Sequence, residues 1–147
     1  MNDKVKSKSD KNHVCPHKFA FMLDNRVRKL FQNPAKILKE YINPGDTVMD
    51  IGCGPGFFTI DMAKMVGDNG RVFAVDMQEE MLKKVAKKAA RHGVADRVAC
   101  HQCRPDTVGL DQQADFILAF YMVHETPDMG AFFKEAKSML KDGGRLL

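Results

Sequence analysis

A glycine-rich loop that begins just after an acidic residue has the clearest chemical meaning in this sequence. The chain reads Asp-Ile-Gly-Cys-Gly-Pro-Gly from Asp50 to Gly56, between an apolar run and a helical pattern. Glycines in such a turn let the backbone approach a ligand that a Cβ atom would repel. The helix that follows presents N-terminal amides, which favour an anionic group. We therefore expect this turn to bind a ligand.

The spacing of the glycines separates two classes of ligand. Dinucleotide-binding loops follow G-x-G-x-x-G, which would require a glycine at position 57, where this chain has Phe57. The glycines here are Gly52, Gly54 and Gly56, and Asp50 stands two residues before the first. A carboxylate at that place suits a positively charged ligand better than a pyrophosphate. S-adenosylmethionine, with a sulfonium, an ammonium, a carboxylate and no phosphate, fits these residues better than NAD does.

A second carboxylate is predicted at the end of the next strand. Asp76 follows the apolar run from Arg71 to Val75 and stands 20 residues after Gly56. An acidic residue here can accept hydrogen bonds from both hydroxyls of a ribose. Two carboxylates at consecutive strand ends, flanking a glycine loop, are a stronger signal than the loop alone. The alternative is a tight strand-to-helix turn with two surface aspartates.

The elements that must position these residues alternate between short apolar runs and longer helical patterns. Strands are predicted from Thr47 to Ile51, Arg71 to Val75, Val98 to Cys103 and Asp115 to Phe120, with a fifth beginning at Arg145. Helices are predicted from Asn33 to about Ile42, Phe57 to Val66, Gln78 to Arg91 (with Gly93 as its C-cap) and Met129 to Lys141, and another between Phe19 and Phe31. The alternation predicts an α/β fold, a Rossmann-like doubly wound parallel sheet preceded by N-terminal helices.

Length and composition indicate one globular domain. The 147 residues are 44% hydrophobic and 29% charged, and no apolar run approaches the ~18 residues of a membrane span. Residues 1–12 read as a disordered polar tail and residues 13–147 as a single domain. The N-terminus lacks the apolar stretch of a secretory signal, so we expect a cytoplasmic protein without a membrane partner.

Two features invite other functions, and both have a simpler interpretation. Cys100 and Cys103 have C-x-x-C spacing, and Cys15 lies between His13 and His17, but no second pair follows. We expect reduced thiols and no metal site. The basic run opposite an apolar helix face favours a solvated surface over a nucleic-acid site. Its members are Lys83, Lys84, Lys87, Lys88 and Arg91.

These motifs together resemble the class I S-adenosylmethionine-dependent methyltransferases. The segment from Asp50 to Gly56 resembles their motif I, Val75-Asp76-Met77 their following acidic motif, and Asp115-Phe116-Ile117-Leu118 their fourth-strand motif. The segment from Leu140 to Leu146 resembles the L-K-P-G-G-x-L approach to strand five, with Asp142 in place of proline. The resemblance runs from about Pro34 to Leu147. It is nearest to the ubiquinone/menaquinone C-methyltransferases and to arsenite methyltransferase-like proteins.

The resemblance implies the cofactor S-adenosylmethionine, a small-molecule methyl acceptor and a set of site residues. Asp50 and the backbone of Gly52, Cys53, Gly54 and Gly56 would hold the amino-acid end of the cofactor. Asp76 would hold the ribose, and Met77 would pack on the adenine. Cys103 and Arg104 stand where the family has an acidic residue near the adenine amino group, and Phe120 would line the cofactor or substrate side. Arg104 departs from the family because a guanidinium cannot accept a hydrogen bond.

The catalytic chemistry requires little of the side chains, since methyl transfer from a sulfonium depends mainly on positioning. A general base matters only when the acceptor has a proton to lose. His124, which follows the fourth predicted strand, is the candidate because its ordinary pKa is near neutrality. Its alternative is a structural histidine at the start of a loop, and Tyr121 either shapes the acceptor pocket or simply packs.

The resemblance also implies that the sheet is incomplete, because the family has seven strands and this chain supplies four and the start of a fifth. Such a domain would leave a sheet edge that a homo-oligomer or another partner would cover. The alternative function is therefore a non-catalytic or partner-dependent module that binds S-adenosylmethionine. A nicotinamide-dependent dehydrogenase is disfavoured by Phe57 and Asp50.

Overall fold

A parallel sheet of five strands forms the centre of the structure, a computed structural model that describes residues 33–119 and 126–147. The strands are β1 (Thr47–Ile51), β2 (Arg71–Asp76), β3 (Val98–Gln102), β4 (Ala114–Leu118) and β5 (Leu140–Leu146). The helices are α1 (Pro34–Leu38), α2 (Thr59–Val66), α3 (Glu79–Arg91) and α4 (Met129–Ser138), with a 3₁₀ turn at Ala95–Arg97. The predicted tail and the helix predicted between Phe19 and Phe31 lie outside the described residues.

The order of the strands confirms the predicted doubly wound sheet. It is β3-β2-β1-β4-β5, and every pairing is parallel. The chain first winds outward from β1 to β3 and then returns to the other side of β1 to form β4. The carboxyl end of β1 is therefore the switch point, where ligands of doubly wound sheets bind. The glycine loop follows β1 directly.

Two apolar layers enclose the sheet, because successive side chains of a strand point to opposite faces. On one face, α1, α2 and α3 pack against β1, β2 and β4; on the other face, α4 packs against the same three strands. Val48 and Val72 belong to the first layer, whereas Met49 and Val75 belong to the second. The near-continuous apolar runs of these strands follow from burial on both faces.

Helix α3 follows its sequence pattern from end to end. Met81, Leu82, Val85 and Ala89 are buried, and most of the basic residues named above are exposed. At its C-terminus, Gly93 has φ +66°, and its amide donates to the carbonyl of Ala90. The amide of Val94 donates to the carbonyl of Ala89. This is a Schellman motif, and it confirms Gly93 as the cap.

The predicted end of the first helix was wrong by one turn. Asn33 caps α1 as expected, accepting a hydrogen bond from the amide of Lys36 (3.4 Å), but the helix ends at Leu38 instead of Ile42. After Leu38 the chain continues as a turn, in which the amides of Tyr41 and Ile42 both donate to the carbonyl of Leu38 (2.9 and 3.1 Å).

The start of the fifth strand was also wrong. We expected a helix to Lys141 and a strand from Arg145, but α4 ends at Ser138 and β5 already begins at Leu140. The carbonyl of Met139 accepts a hydrogen bond from the amide of Ala114 on β4 (2.8 Å). This bond starts the pairing with β4 at Leu140, five residues before the predicted start of β5. The two glycines then lie in an irregular part of the β4–β5 pairing, where Gly143 has φ +77°. The other strand ends differ from prediction by one or two residues: β2 extends to Asp76, β3 ends at Gln102, and β4 runs from Ala114 to Leu118.

The connection from β3 to β4 has no helix, and a carboxylate on α4 secures it. Glu135 accepts hydrogen bonds from the hydroxyl of Thr107 (2.7 Å) and from the amides of Val108 (2.9 Å) and Gly109 (3.0 Å). Burial alone would raise the pKa of Glu135, but these hydrogen bonds lower it below its ordinary value. Glu135 therefore attaches this connection to α4 by hydrogen bonds, whereas a crossover helix would be held against the sheet by apolar packing.

No helix within residues 33–119 and 126–147 is long and apolar enough to cross a membrane.

We expect Glu135→Gln to destabilise the protein by roughly 1–3 kcal/mol at pH 7, because the amide cannot accept all of these hydrogen bonds. The lowered pKa means that the stabilisation is present above the ordinary glutamate pKa and is lost as the pH falls through the folded value. Urea unfolding at pH 7 and pH 3.5 should therefore show a larger difference at pH 7 than at pH 3.5. The same change at the exposed Glu40 is the control, and an equal loss at both pH values would contradict this role.

Candidate functional site

Three glycines with left-handed backbone geometry shape the loop at the switch point. Gly52, Gly54 and Gly56 have φ angles of +74°, +52° and +80°. The amides of Gly52 and Cys53 both donate to the carbonyl of Val75 on β2 (2.8 and 3.0 Å), so the loop bends across the end of that strand. Residues with a Cβ atom adopt such φ angles at a cost, which explains the alternation of glycines.

Gly54 and Gly56 serve different purposes within the loop. A Cβ atom on Gly56 would stand 3.2 Å from Cγ2 of Val85, so a glycine lets α3 pack closely against the loop. A Cβ atom on Gly54 would enter open space, with no described heavy atom within 4 Å. The backbone of Gly54 is therefore open to a ligand, whereas Gly56 faces the core.

Asp76 joins the glycine loop to the turn that follows β2. Its Oδ2 accepts a hydrogen bond from the amide of Gly54 (2.9 Å), and its Oδ1 accepts one from the amide of Gln78 (2.9 Å). Burial raises the pKa of Asp76, and the hydrogen bonds from Gln78, Gly54 and Met77 oppose that rise. Each carboxylate oxygen has a second lone pair, so these bonds leave acceptor capacity for a ligand.

Asp50 is the most deeply buried carboxylate near the loop, with 3% of its surface exposed. Its Oδ2 accepts a hydrogen bond from the hydroxyl of Thr59 (2.6 Å). Burial raises the pKa of Asp50 to about 7; the hydrogen bonds from Thr59 lower it, and the nearby charge of Asp76 raises it further. Within residues 33–119 and 126–147, no basic side chain stabilises this charge. Because an unpaired buried carboxylate is unfavourable, the site would gain from a ligand with positive charge.

The adenine-side candidates lie at the ends of β2 and β3. Met77 is half-buried, and its carbonyl accepts a hydrogen bond from Nε2 of Gln102 (2.9 Å). The amide of Cys103 donates to the carbonyl of Asp76 (3.1 Å). Arg104 is exposed, and its Nε lies 3.4 Å from Oδ1 of Asp106. The structure thus brings Met77 and Cys103 beside Asp76, and it pairs Arg104 with a neighbouring carboxylate.

The cysteines of the C-x-x-C pair point to opposite faces of the sheet. Sγ of Cys100 lies 3.7 Å from the carbonyl of Leu82 on α3, whereas Cys103 packs in the layer that contains α4. Burial raises the pKa of Cys103 to about 11 and that of Cys53 well above its ordinary value, so both are neutral thiols. Among residues 33–119 and 126–147, no three histidine, cysteine or acidic side chains are grouped as metal ligands.

Three predicted residues beyond β4 lie outside the described residues: Phe120, Tyr121 and His124. So do the sequence candidates His13, Cys15 and His17.

Sequence reasoning missed two residues that support the site. Thr59 is fully buried and bonds to Asp50, and Gln102 holds the carbonyl of Met77. A signal for Thr59 was present, since a threonine among buried helix positions needs a hydrogen-bond partner. Nothing comparable marks the exposed Gln102.

The pKa of Asp50 predicts how stability changes with pH. Because the folded value of about 7 exceeds the ordinary 3.8, the native state keeps a proton that the unfolded chain has lost. Stability from this residue therefore falls as the pH rises from 4 to 7, by on the order of 4 kcal/mol at about 1.4 kcal/mol per unit. Urea unfolding should show the wild type losing stability relative to Asp50→Asn over that range.

The exposed Asp111→Asn variant is the control for this comparison. Its unfolding free energy should follow that of the wild type at every pH. A wild-type minus Asp50→Asn difference that stays constant from pH 4 to 8 would show that Asp50 titrates normally.

Comparisons with known proteins agree with this geometry. A family model described as a methyltransferase domain matches residues 42–147. The ubiquinone/menaquinone biosynthesis C-methyltransferase of Marinomonas sp. is 27% identical over 99% of this chain and 59% of its own length. The arsenite methyltransferase of Halobacterium salinarum is 31% identical over 70% of this chain and 26% of its own length. The chain thus spans about three fifths of the length of the first relative and about a quarter of the second.

A solved structure gives the same result in three dimensions. The crystal structure of an S-adenosylmethionine-dependent methyltransferase from Aquifex aeolicus is 33% identical and superimposes with a TM-score of 0.79. The match covers 86% of this chain and 68% of the other. With the matching family model and the parallel sheet around the glycine loop, this similarity shows that the chain belongs to the class I S-adenosylmethionine-dependent methyltransferases.

Proposed function

We propose that this protein transfers a methyl group from S-adenosylmethionine to a small-molecule acceptor. The observation that carries the proposal is the buried carboxylate of Asp50 beside a glycine loop whose backbone is open at Gly54. Burial disfavours its charge, and a cationic ligand would favour it. S-adenosylmethionine supplies such a cation, whereas a dinucleotide would bring a pyrophosphate to the same place.

The cofactor-binding roles follow from the position of each group. Asp50 and the backbone of Gly52, Cys53, Gly54 and Gly56 would hold the amino-acid end. Asp76 would accept hydrogen bonds from the ribose hydroxyls, and its existing bond to Gly54 supports this by fixing the carboxylate beside the loop. Met77 would pack on the adenine, with Cys103 and Arg104 at its border and Phe120 toward the acceptor.

The sulfonium of the bound cofactor supplies an activated methyl group, so the residues of this chain need mainly to bind and to orient. Asp50 and Asp76 would hold the amino-acid end and the ribose of one ligand, and the hydrogen bond from Gly54 to Asp76 would keep the loop beside it. His124 is proposed as the general base for an acceptor that loses a proton.

The acceptor is proposed to be a small molecule because the quinone and arsenite methyltransferases that resemble this chain carry such acceptors in their names. A nucleic-acid partner is not proposed. The basic side chains of α3 include Lys83, which pairs with Glu79 on the same helix (3.0 Å). This pairing is typical of a solvated helix face.

A cytoplasmic location and a partner at the sheet edge complete the proposal. The described cysteines are all free thiols, which is typical of a reducing compartment. Among the described strands, β5 pairs with β4 alone, so a second copy or another partner could cover its outer edge.

We expect Asp76→Ala to weaken binding of S-adenosylhomocysteine by at least about 100-fold, because the ribose would lose two hydrogen bonds to a charged group. Isothermal titration calorimetry with the wild type and the variant measures this directly. Asp142→Ala, an exposed change on β5, is the control and should bind normally. Unchanged affinity in Asp76→Ala would remove this residue from the site, and wild-type binding of NAD in place of S-adenosylhomocysteine would overturn the proposed function.

Gly54→Val should also abolish binding, because its side chain would fill the space open to the ligand. Gly67→Val is a matched control, since Gly67 has a similar φ of +67° and similar open space but lies at the far end of α2. Both variants place a valine at a positive φ with open space around its Cβ atom, so only Gly54→Val should lose affinity in calorimetry. Equal affinities in the two folded variants would contradict the assignment of the loop.

A further inference from the structure

We propose that Thr59 is a positioning residue of the cofactor site, whose hydroxyl orients the Asp50 carboxylate and keeps it ready for the ammonium of the ligand. This inference rests on the proposed function. Nothing in the motif that identifies the family assigns a role to this threonine.

The hydrogen bond between these two residues is short and shielded from water. Thr59 is the first residue of α2 and has no exposed surface, and Asp50 is 3% exposed. The hydroxyl oxygen lies 2.6 Å from Oδ2 of Asp50. The backbone amide of Thr59 also lowers the pKa of this carboxylate. The hydrogen bond from the hydroxyl ties the carboxylate to the N-terminus of α2.

The hydroxyl is needed because the other groups around Asp50 oppose its negative charge. Burial and the charge of Asp76, at the end of β2, both favour the protonated form. The thiol of Cys53, in the glycine loop, stays neutral and brings no compensating charge. Thr59 has the opposite effect, because hydrogen bonds to a carboxylate favour its charged form.

The ionised state of Asp50 should matter for binding because a protonated carboxyl group attracts an ammonium only weakly. Loss of the hydroxyl would raise the pH at which Asp50 ionises. Affinity for the ligand would then require a higher pH. A residue that serves only to pack α2 would not produce such a shift.

The test measures binding of S-adenosylhomocysteine by calorimetry from pH 6 to 8.5 in the wild type, Thr59→Val and Thr59→Ser. Valine keeps the shape of the side chain and removes the hydroxyl, whereas serine keeps the hydroxyl. We expect Thr59→Val to weaken binding at pH 7 by roughly ten- to a hundredfold, as for a lost hydrogen bond to a charged group. The loss should shrink toward pH 8.5, and Thr59→Ser should follow the wild-type profile.

Two results would overturn the inference while leaving the proposed function intact. One is a Thr59→Val variant with wild-type affinity at every pH, and the other is a loss that is independent of pH. If Thr59→Val does not fold, Thr59→Ala replaces it. If neither variant folds while Thr59→Ser does, the hydroxyl is needed for folding, and its assignment as a positioning group is wrong. A wild-type protein that binds no S-adenosylhomocysteine would instead overturn the proposed function itself.

Discussion

The burial of a carboxylate at the switch point of the sheet is the constraint on which the rest of this site depends. Asp50 is buried because it lies on β1, the central strand, which is covered on both faces. Removal from water disfavours the charged form of its carboxyl group. Thr59 partly compensates from the start of α2. A second carboxylate, Asp76, adds to the negative charge, and its Oδ2 accepts a hydrogen bond from the amide of Gly54. The arrangement stores an unfavourable charge distribution that a cationic ligand can relieve.

The backbone of the loop follows from the same constraint. For a ligand to reach Asp50, the chain must leave β1, pass over the end of β2 and enter α2 within a few residues. Left-handed geometry at three glycines makes this possible, and the carbonyl of Val75 fixes the bend through two amides. Gly56 then lets α3 pack against the loop through Val85. The helices that cover one face of the sheet are therefore also the support of the site.

The parts of the structure that were predictable from sequence are those with local signals. The strand before the glycine loop was predicted to the residue, Gly93 was confirmed as a cap, and the motifs identified the family that the comparisons show. The start of β5 was missed because the pairing of Ala114 with Leu140 decides it, and that pairing joins distant parts of the chain. The partners of Glu135, which accepts its hydrogen bonds, and of Thr59, which donates, were missed for the same reason, since packing decides which distant residue a side chain meets.

The placement of the two carboxylates also divides the switch point into two halves. Asp50 and Asp76 stand at the ends of β1 and β2, so a ligand that contacts both lies on the β2 side of the crevice. Under the proposed function, the ends of β4 and β5, on the other side of β1, would be left for the acceptor. Selection of the acceptor would depend on residues that follow these strands and not on the glycine loop. Relatives of this chain are named for acceptors as different as a quinone and arsenite, which agrees with a fold that serves several acceptors.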